Sequence, residues 1–195
     1  KIERLKCTQT SQRRHRERTG MKTVALVGYT NAGKSSLMQC LTDKEGVRAS
    51  NALFTTLDTK IGTMWLPSAQ QEVLLADTIG FIRDVPPDLI SSFLTTLQEA
   101  QKADLLLHVI DVSDPEWQEK ITVVDNILCR IGCDEIMQIY VLNKCDVLSE
   151  ERSVLLDFLR QEYEGYHPKV ISCQKSYGLE SLKETIAQQL GLCVK

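Results

Sequence analysis

The stretch that most constrains the fold is GYTNAGKSS, residues 28–36, which directly follows the apolar run TVALV. It fits the pattern G-x-x-x-x-G-K-[ST], in which glycine lets backbone N–H groups curl around phosphate oxygens without a Cβ in the way. The β-branched run predicts a buried strand before this loop, and we expect a helix from Lys34 to Leu41 after it. Strand, glycine loop and helix in this order predict a phosphate-binding loop, where the helix start adds partial positive charge.

Candidate phosphate contacts lie within the loop itself. Lys34 can reach the β- and γ-phosphates of a nucleoside triphosphate, and the Ser35 hydroxyl can ligate Mg²⁺. The alternative is a glycine-rich turn with a solvated lysine, but the flanking strand and helix favour the phosphate site. With the neighbouring backbone N–H groups, the predicted nucleotide-binding set in this loop is Asn31, Ala32, Gly33, Lys34, Ser35 and Ser36.

Apolar runs alternate with helix patterns along the chain, which favours a parallel sheet covered by helices on both faces. The segments 57–66 and 71–77 are joined only by a short turn at Pro67–Ser68, so this pair is expected to be antiparallel. We therefore predict the three-layer α/β fold of P-loop NTPases, with a mostly parallel six-stranded sheet and one antiparallel edge strand. The predicted strands are 22–28, 57–66, 71–77, 104–111, 136–144 and 169–173, and the later helices are 88–101, 115–131 with Asp114 as N-cap, 149–163 with Ser149 as N-cap, and 178–190.

Residues after the first loop are candidates for the γ-phosphate and its metal ion. The strand LLAD ends at Asp77, whose carboxylate can hold Mg²⁺ directly or through water. The N–H of Gly80 can meet the γ-phosphate, although D-x-x-G alone is a common pattern. FTTLD supplies a threonine that can close over Mg²⁺, and we favour Thr56 over Thr55. The candidate metal ligands are Ser35, Thr56 and Asp77, and the candidate catalytic residues are Lys34, Thr56 and Gly80.

The segment VLNKCD, residues 141–146, has the features of a guanine site after an apolar strand. A carboxylate at Asp146 can accept hydrogen bonds from guanine N1–H and from the exocyclic amine. Adenine offers an acceptor at N1 and no such amine, so Asp146 would reject it, because a mismatched polar group stays unpaired. Lys144 can lay its stem along the base, and Asn143 can tie this loop to the phosphate loop.

A second guanine contact is predicted in ISC, residues 171–173, which follows the last strand. The N–H of Cys173 can reach guanine O6, with Ser172 buttressing the loop. Cys173 has an alternative role as a redox-reactive thiol, since the reactivity of a cysteine depends on its surroundings. The sequence leaves both roles open.

Composition narrows the class of protein. The 195 residues carry a net charge of −3, but residues 1–20 hold seven Lys or Arg against two Glu. This pattern predicts a basic helical arm at 1–19 before a nucleotide-binding domain at 20–195, and it excludes an overall basic domain.

No run of about 18 apolar residues is present, so no membrane span is predicted. The seven cysteines are odd in number and contain no CxxC pair, which favours free thiols in a reducing compartment.

The motifs GYTNAGKSSL, FTTLD, DTIGFIRDVP, NKCD and SC resemble those of the HflX-type translational GTPases of the Obg–HflX group, over residues from about 20 to 190. The resemblance implies a Ras-like G domain that binds GTP and Mg²⁺, hydrolyses GTP slowly and associates with the large ribosomal subunit. Some members of the family split ribosomes under stress. Residues 1–18 resemble the end of the family's helical linker, and the absence of an initiator Met agrees with a piece of a longer protein.

Two positions bear on catalysis. Phe81 follows Gly80 where many GTPases place a glutamine that orients the attacking water, so hydrolysis is expected to be slow. Phe81 can equally serve as a hydrophobic anchor.

In related GTPases with an asparagine matching Asn31, a potassium ion binds near the phosphates, so K⁺ is a second candidate cofactor. Asn31 is also well suited to stabilise the turn of the loop.

We expect the chain to bind GTP and GDP and to hydrolyse GTP as a conformational switch, in ribosome splitting or rescue by family resemblance. The alternative is a GTP-binding module with negligible intrinsic hydrolysis that serves as a nucleotide-dependent interaction domain. A third hypothesis is an ATP-using enzyme with the same phosphate loop. We further expect a monomer in the cytoplasm, with the mitochondrial matrix as the alternative compartment, and contact between ribosomal RNA and the arm at 1–18.

Overall fold

The strand predicted before the phosphate loop is β1, Thr23–Val27, and all five of its residues are buried. The computed structural model of the protein describes residues 20–42, 60–78, 100–148 and 150–192. Within 150–155 it describes the backbone only. A continuous run of buried β-branched and aliphatic residues is typical of a central parallel strand with helices on both faces. The phosphate loop therefore begins in the middle of the sheet.

The remaining elements follow the predicted alternation of strands and helices. None of the helices in the described ranges is long and apolar enough to cross a membrane. In chain order the elements are α1 (Lys34–Thr42), β2 (Lys60–Leu66), β3 (Gln71–Asp77), β4 (Leu105–Asp111), α2 (Trp117–Arg130), β5 (Gln138–Asn143), α3 (Glu150–Glu162), β6 (Lys169–Val170) and α4 (Leu179–Gln189), with short 3₁₀ turns at Cys145–Val147 and Glu164–Tyr166.

The six strands form one sheet in the order β2-β3-β1-β4-β5-β6. All neighbouring pairs are parallel except β2 and β3, which pair antiparallel from Lys60 opposite Asp77 to Leu66 opposite Gln71. This confirms the predicted six-stranded, mostly parallel sheet with one antiparallel edge strand. Because five strands run the same way, their carboxyl ends meet at one edge, where loops can build a site.

Alternate residues of β1 show how the helices cover the sheet. Val24 and Leu26 pack in a core cluster with residues of α1 and α4. Ala25 and Val27 point to the opposite face, into a cluster with residues of α2. A third cluster joins α2 and α3 to β4, β5 and β6. The result is the predicted three-layer arrangement, with α1 and α4 on one face and α2 and α3 on the other.

Two local predictions differ from the structure. The helix expected from 115 begins at Trp117, and its N-cap is Glu116 rather than Asp114. Asp114 instead accepts a hydrogen bond from the Glu116 N–H at 2.9 Å, so its carboxylate stabilises a tight turn before the helix. The last strand, expected over 169–173, contains only Lys169–Val170, because Ser172 leaves the ladder to pair with Tyr177.

Several predictions fall outside the described residues. These include Ser149 as an N-cap, the basic arm at 1–19, and most of the helix at 88–101, of which only residues 100 and 101 are described, both helical. They stay predictions.

Candidate nucleotide-binding site

The predicted site residues gather at the carboxyl edge of the sheet. The phosphate loop follows β1, Asp77 ends β3, Asn143 ends β5 and Ser172 lies just beyond β6. The register places Asp111, the last residue of β4, beside Asn143. Residues that are more than 100 positions apart in the sequence therefore share one surface.

Glycine is required at two positions of the phosphate loop. Gly28 has φ +144° and a Cβ there would lie 2.3 Å from the carbonyl oxygen of Val109. Gly33 has φ +100° and a Cβ would lie 2.3 Å from Nδ2 of Asn143. Neither the backbone conformation nor the space admits another residue. The loop glycines thus set how closely the backbone approaches β4 and the guanine loop.

Lys34 is turned into the phosphate loop. Its ammonium donates to the carbonyl oxygens of Gly28 at 2.9 Å and Tyr29 at 2.8 Å. The side chain is buried, and this desolvation lowers the pKa of Lys34 to about 8, while the charge of Asp77 acts in the opposite direction. An anion beside the ammonium would favour its charged form. The position therefore suits a ligand that brings negative charge.

Ser35 and Asp77 are brought together as candidate metal ligands. The Ser35 hydroxyl donates to Oδ2 of Asp77 at 2.7 Å. Asp77 is fully buried, and its Oδ1 has no hydrogen-bond partner among the described residues. Burial raises the pKa of Asp77, against the hydrogen bond from Ser35 and the charge of Lys34. A hydroxyl next to a buried, partly unpaired carboxylate is a donor set that suits Mg²⁺, which prefers oxygen ligands.

Asn143 connects the phosphate loop to the guanine segments. Its Nδ2 donates to the carbonyl oxygen of Ala32 at 2.9 Å. Its Oδ1 accepts the backbone N–H of Cys173 at 3.3 Å. The side chain is only 2 % exposed, so both bonds are sheltered from water. The predicted tie between the loops is therefore present in the structure.

Lys144 is held by a residue that the sequence reasoning missed. The Lys144 backbone is left-handed, with φ 65°, and its ammonium lies 2.6 Å from Oδ2 of Asp111. Asp111 is itself held by the N–H of Ser113 at 3.0 Å and by the hydroxyl of the same residue. The available signal was an aspartate at the carboxyl end of a buried strand, the same signal that identified Asp77.

Asp146 and Ser172 lie together, as the guanine hypothesis requires. The Ser172 hydroxyl donates to Oδ1 of Asp146 and accepts the backbone N–H of Lys175 at 3.0 Å. The N–H of Cys145 also donates to the carbonyl oxygen of Ile171 at 3.3 Å. Ser172 is fully buried, so the Asp146 carboxylate is oriented by a fixed neighbour.

For the remaining predicted site residues, the structure shows no contact that tests nucleotide binding directly, or does not describe the residue. Asn31 is exposed and left-handed, with φ 62°, a conformation asparagine tolerates better than most residues, which fits its predicted turn role. Ser36 lies half-buried in the first turn of α1. The N–H of Cys173, predicted to meet guanine O6, is bonded to Asn143, and the guanine contact stays a prediction. Thr55, Thr56, Gly80 and Phe81 lie outside the described residues.

Thr78 was also missed, although it follows Asp77 directly. Its hydroxyl donates to the carbonyl oxygen of Leu26 at 2.6 Å, and the residue is 2 % exposed. This bond anchors the start of the segment DTIG to β1. A threonine next to a candidate metal ligand carried no distinguishing signal in the sequence.

Comparisons with known proteins agree with this geometry. A family model described as 50S ribosome-binding GTPase matches residues 23–144. The chain is 41 % identical over 191 residues to the GTPase HflX of Caldanaerobacter subterraneus and 38 % identical over 190 residues to that of Escherichia coli. Both alignments cover 97 % of this chain but only 42 % and 43 % of the relatives. The chain therefore spans about two fifths of the length of these curated relatives.

Solved structures support the same fold. A GTP-binding protein from Sulfolobus solfataricus, crystallised in complex with GDP, superposes with a TM-score of 0.71 at 27 % identity. The match covers 97 % of this chain and 61 % of that one.

Gly33→Ala tests whether the approach of the loop to Asn143 matters. We expect it to destabilise the protein and to lower nucleotide affinity at least about tenfold, because the new Cβ would displace Asn143. Gly132→Ala is the matched control, since Gly132 also has positive φ, +71°, but no atom within 4 Å of the new Cβ. Thermal unfolding and titration with a fluorescent guanine nucleotide measure both effects. Equal behaviour of the two variants would contradict the role assigned to this contact.

Proposed function

Because the chain belongs to the HflX family of GTPases, we propose that it binds GTP with Mg²⁺ and hydrolyses it to GDP and phosphate as a conformational switch. The observation that carries the proposal is the double hydrogen bonding of Asn143, which holds the phosphate loop and the guanine segments in one constellation. A nucleotide spans both parts, so a common anchor for the two loops is what its recognition requires.

At the phosphate end, the chain supplies positive charge and oriented donors. Lys34 and the N–H groups of the loop offset the negative charge that develops on the γ-phosphoryl and leaving oxygens. Ser35 and Asp77, with Thr56 from outside the described residues, would hold Mg²⁺, which neutralises phosphate charge when bound. The ammonium of Lys34 would exchange its carbonyl partners for phosphate oxygens, so its present bonds keep it aimed into the loop.

At the base end, Asp146 reads guanine and Lys144 supports it. The Ser172 hydroxyl fixes one carboxylate oxygen of Asp146, so the group is already oriented before the base arrives. Asp111 holds the Lys144 ammonium, which directs the lysine stem along the place of the base. Such preorganisation lowers the entropic cost of binding. The backbone N–H of Cys173 is the candidate donor to guanine O6.

The switch itself is proposed from the sequence. Thr56 and Gly80 would sense the γ-phosphate, and the segments 44–59 and 78–88 would order with GTP and relax after hydrolysis. Phe81 cannot orient water through a polar group, so the intrinsic rate is expected to be slow. The same residue supports the second candidate function, a GTP-binding module with negligible hydrolysis that acts as a nucleotide-dependent interaction domain.

The proposed partner is the large ribosomal subunit, in ribosome splitting or rescue. Support comes from the description of the matching family as ribosome-binding GTPases. The basic arm at 1–18 is a candidate contact to ribosomal RNA, since it carries the positive charge that phosphate backbones attract. We propose that the protein acts as a monomer in the cytoplasm, as its bacterial relatives suggest, with the mitochondrial matrix as the alternative.

Asp146→Asn tests the reading of guanine. We expect GDP affinity to fall at least about a hundredfold, because the charged acceptor is lost and the asparagine NH2 would face the exocyclic amine of guanine, donor against donor. Xanthine carries a carbonyl where guanine carries its amine, so the variant should bind xanthosine diphosphate better than the wild type does, which also shows that it is folded. Competition with ADP completes the assay. Unchanged nucleotide preference in Asp146→Asn would favour the ATP-using hypothesis.

Turnover measurements separate the enzyme from the binding module. We expect the chain to release phosphate from GTP slowly on its own and faster with added large ribosomal subunits. Lys34→Ala should abolish both activities, since it removes charge compensation at the phosphates. Small ribosomal subunits serve as the matched control for added RNA. Tight GTP binding with no turnover in any condition would support the module, and no GTP binding would refute both.

Potassium activation is tested by hydrolysis rates in matched KCl and NaCl. A K⁺ ion held with the help of Asn31 would add positive charge near the phosphates, so turnover should rise in KCl and the rise should vanish in Asn31→Ala. Equal rates in the two salts would leave Asn31 with its turn role alone, in agreement with its left-handed backbone.

A further inference from the structure

Two cysteines that lie far apart in the sequence are in contact beside the guanine segment. Cys40 lies in the last turns of α1, and Cys173 follows β6. The Cys40 Sγ donates to the carbonyl oxygen of Cys173 at 3.6 Å, so the Cys40 thiol lies directly against the Cys173 segment. Both side chains are half-buried and pack against the same core cluster as α1 and α4.

The contact makes the two sulfurs chemically unequal. The interaction with the Cys173 side chain lowers the pKa of Cys40, against burial, which raises it. The interaction with Cys40, together with burial, raises the pKa of Cys173. Since the thiolate is the reactive form, Cys40 is the nucleophile of the pair and Cys173 is the neighbouring thiol that can resolve its oxidation product.

We propose that Cys40 and Cys173 form a reversible disulfide under oxidation by peroxide, and that this disulfide weakens binding of guanine nucleotides. The proposal rests on the proposed function, because the nucleotide site is what the disulfide would regulate. It assigns Cys173 both roles that its sequence context left open, a backbone contact to the base and a reactive thiol.

The chemistry needs one equivalent of hydrogen peroxide. The Cys40 thiolate attacks one peroxide oxygen, the O–O bond breaks, and Cys40 becomes a sulfenic acid with release of one water after protonation. The Cys173 sulfur then attacks the Cys40 sulfur, the S–O bond breaks and a second water leaves. Two thiols lose two electrons and two protons in total, and peroxide is reduced to two waters. A small-molecule thiol reverses the bond by exchange.

The link to nucleotide binding runs through the backbone of Cys173. A disulfide needs a sulfur separation of about 2.05 Å, which the unbonded sulfurs of two free cysteines do not reach, so one of the two segments must shift toward the other. Helix α1 is fixed by Leu37 and Leu41, both buried in the core. The Cys173 segment is held by a longer bond, 3.3 Å from its N–H to Asn143. The shift therefore falls on Cys173, the candidate donor to guanine O6.

The other described cysteines are poorer candidates. Cys133 is buried, and desolvation raises its pKa. Burial likewise raises the pKa of Cys145, next to the charge of Asp146. Cys129 is exposed and no described cysteine is bonded to it. It therefore supplies a matched control variant for reactivity that depends only on exposure.

The covalent step is tested by peptide mapping after treatment with graded hydrogen peroxide. We expect a Cys40–Cys173 disulfide in the wild type and in Cys129→Ser, and its loss in Cys40→Ser and Cys173→Ala. Thiol reductant should remove it. Mapping of the wild type stands even if a variant fails to fold. The proposal would be overturned if all disulfides formed were intermolecular, or if other cysteines were oxidised while this pair stayed reduced.

The functional step is tested by GDP affinity of reduced and oxidised protein. We expect oxidation to weaken binding about three- to tenfold, the range for losing one neutral hydrogen bond, in wild type and Cys129→Ser but not in Cys40→Ser. By linkage, saturating GDP should raise the reduction potential of the pair, by about 30 mV for a tenfold effect. A disulfide that leaves affinity and potential unchanged would refute the regulatory claim. Absent GDP binding in the reduced protein would instead refute the proposed function.

Discussion

The hydrogen bonds of Asn143 are the interaction on which the site depends. One amide side chain at the end of β5 satisfies the carbonyl of Ala32 and the N–H of Cys173, and it does so while almost fully buried. Because the bonds are shielded from water, losing either one would leave a buried polar group unpaired. The requirement for glycine at 33 follows from the same contact, since a Cβ would occupy the space of the amide.

The sheet makes this bridge possible. Parallel strands present all their carboxyl ends at one edge of the sheet. The loops therefore meet at this edge, and they follow β1, β3, β4, β5 and β6. In the proposed function, each loop contributes one type of contact, from charge compensation at the phosphates to recognition of the base. Asp111 and Asn143 are neighbours in the register of β4 and β5. Asp111 orients Lys144, and Asn143 holds the phosphate loop.

Buried charge is the cost of such a site. Lys34 and Asp77 are both removed from water. Desolvation lowers the pKa of Lys34 and raises the pKa of Asp77, which favours the neutral form of each side chain. Their mutual attraction offsets part of this effect, and the Oδ1 of Asp77 keeps no partner among the described residues. A structure selected for stability alone would not keep two such groups, whereas a binding site for a charged nucleotide and a divalent cation uses both.

The sequence by itself determined the fold class, the antiparallel pairing of β2 with β3 and the candidate residues at the strand ends, because the spacing of apolar residues, of glycines and of polar strand-end residues is a local signal. It could not decide where helix α2 begins, since Asp114 can stabilise either a helix start or a preceding turn. The tertiary structure alone decided the partners of side chains: Asp111 for Lys144, Thr78 for the backbone of β1, and Cys40 for Cys173. Such pairs join residues from separate elements, and only the packing of those elements brings their atoms within bonding distance.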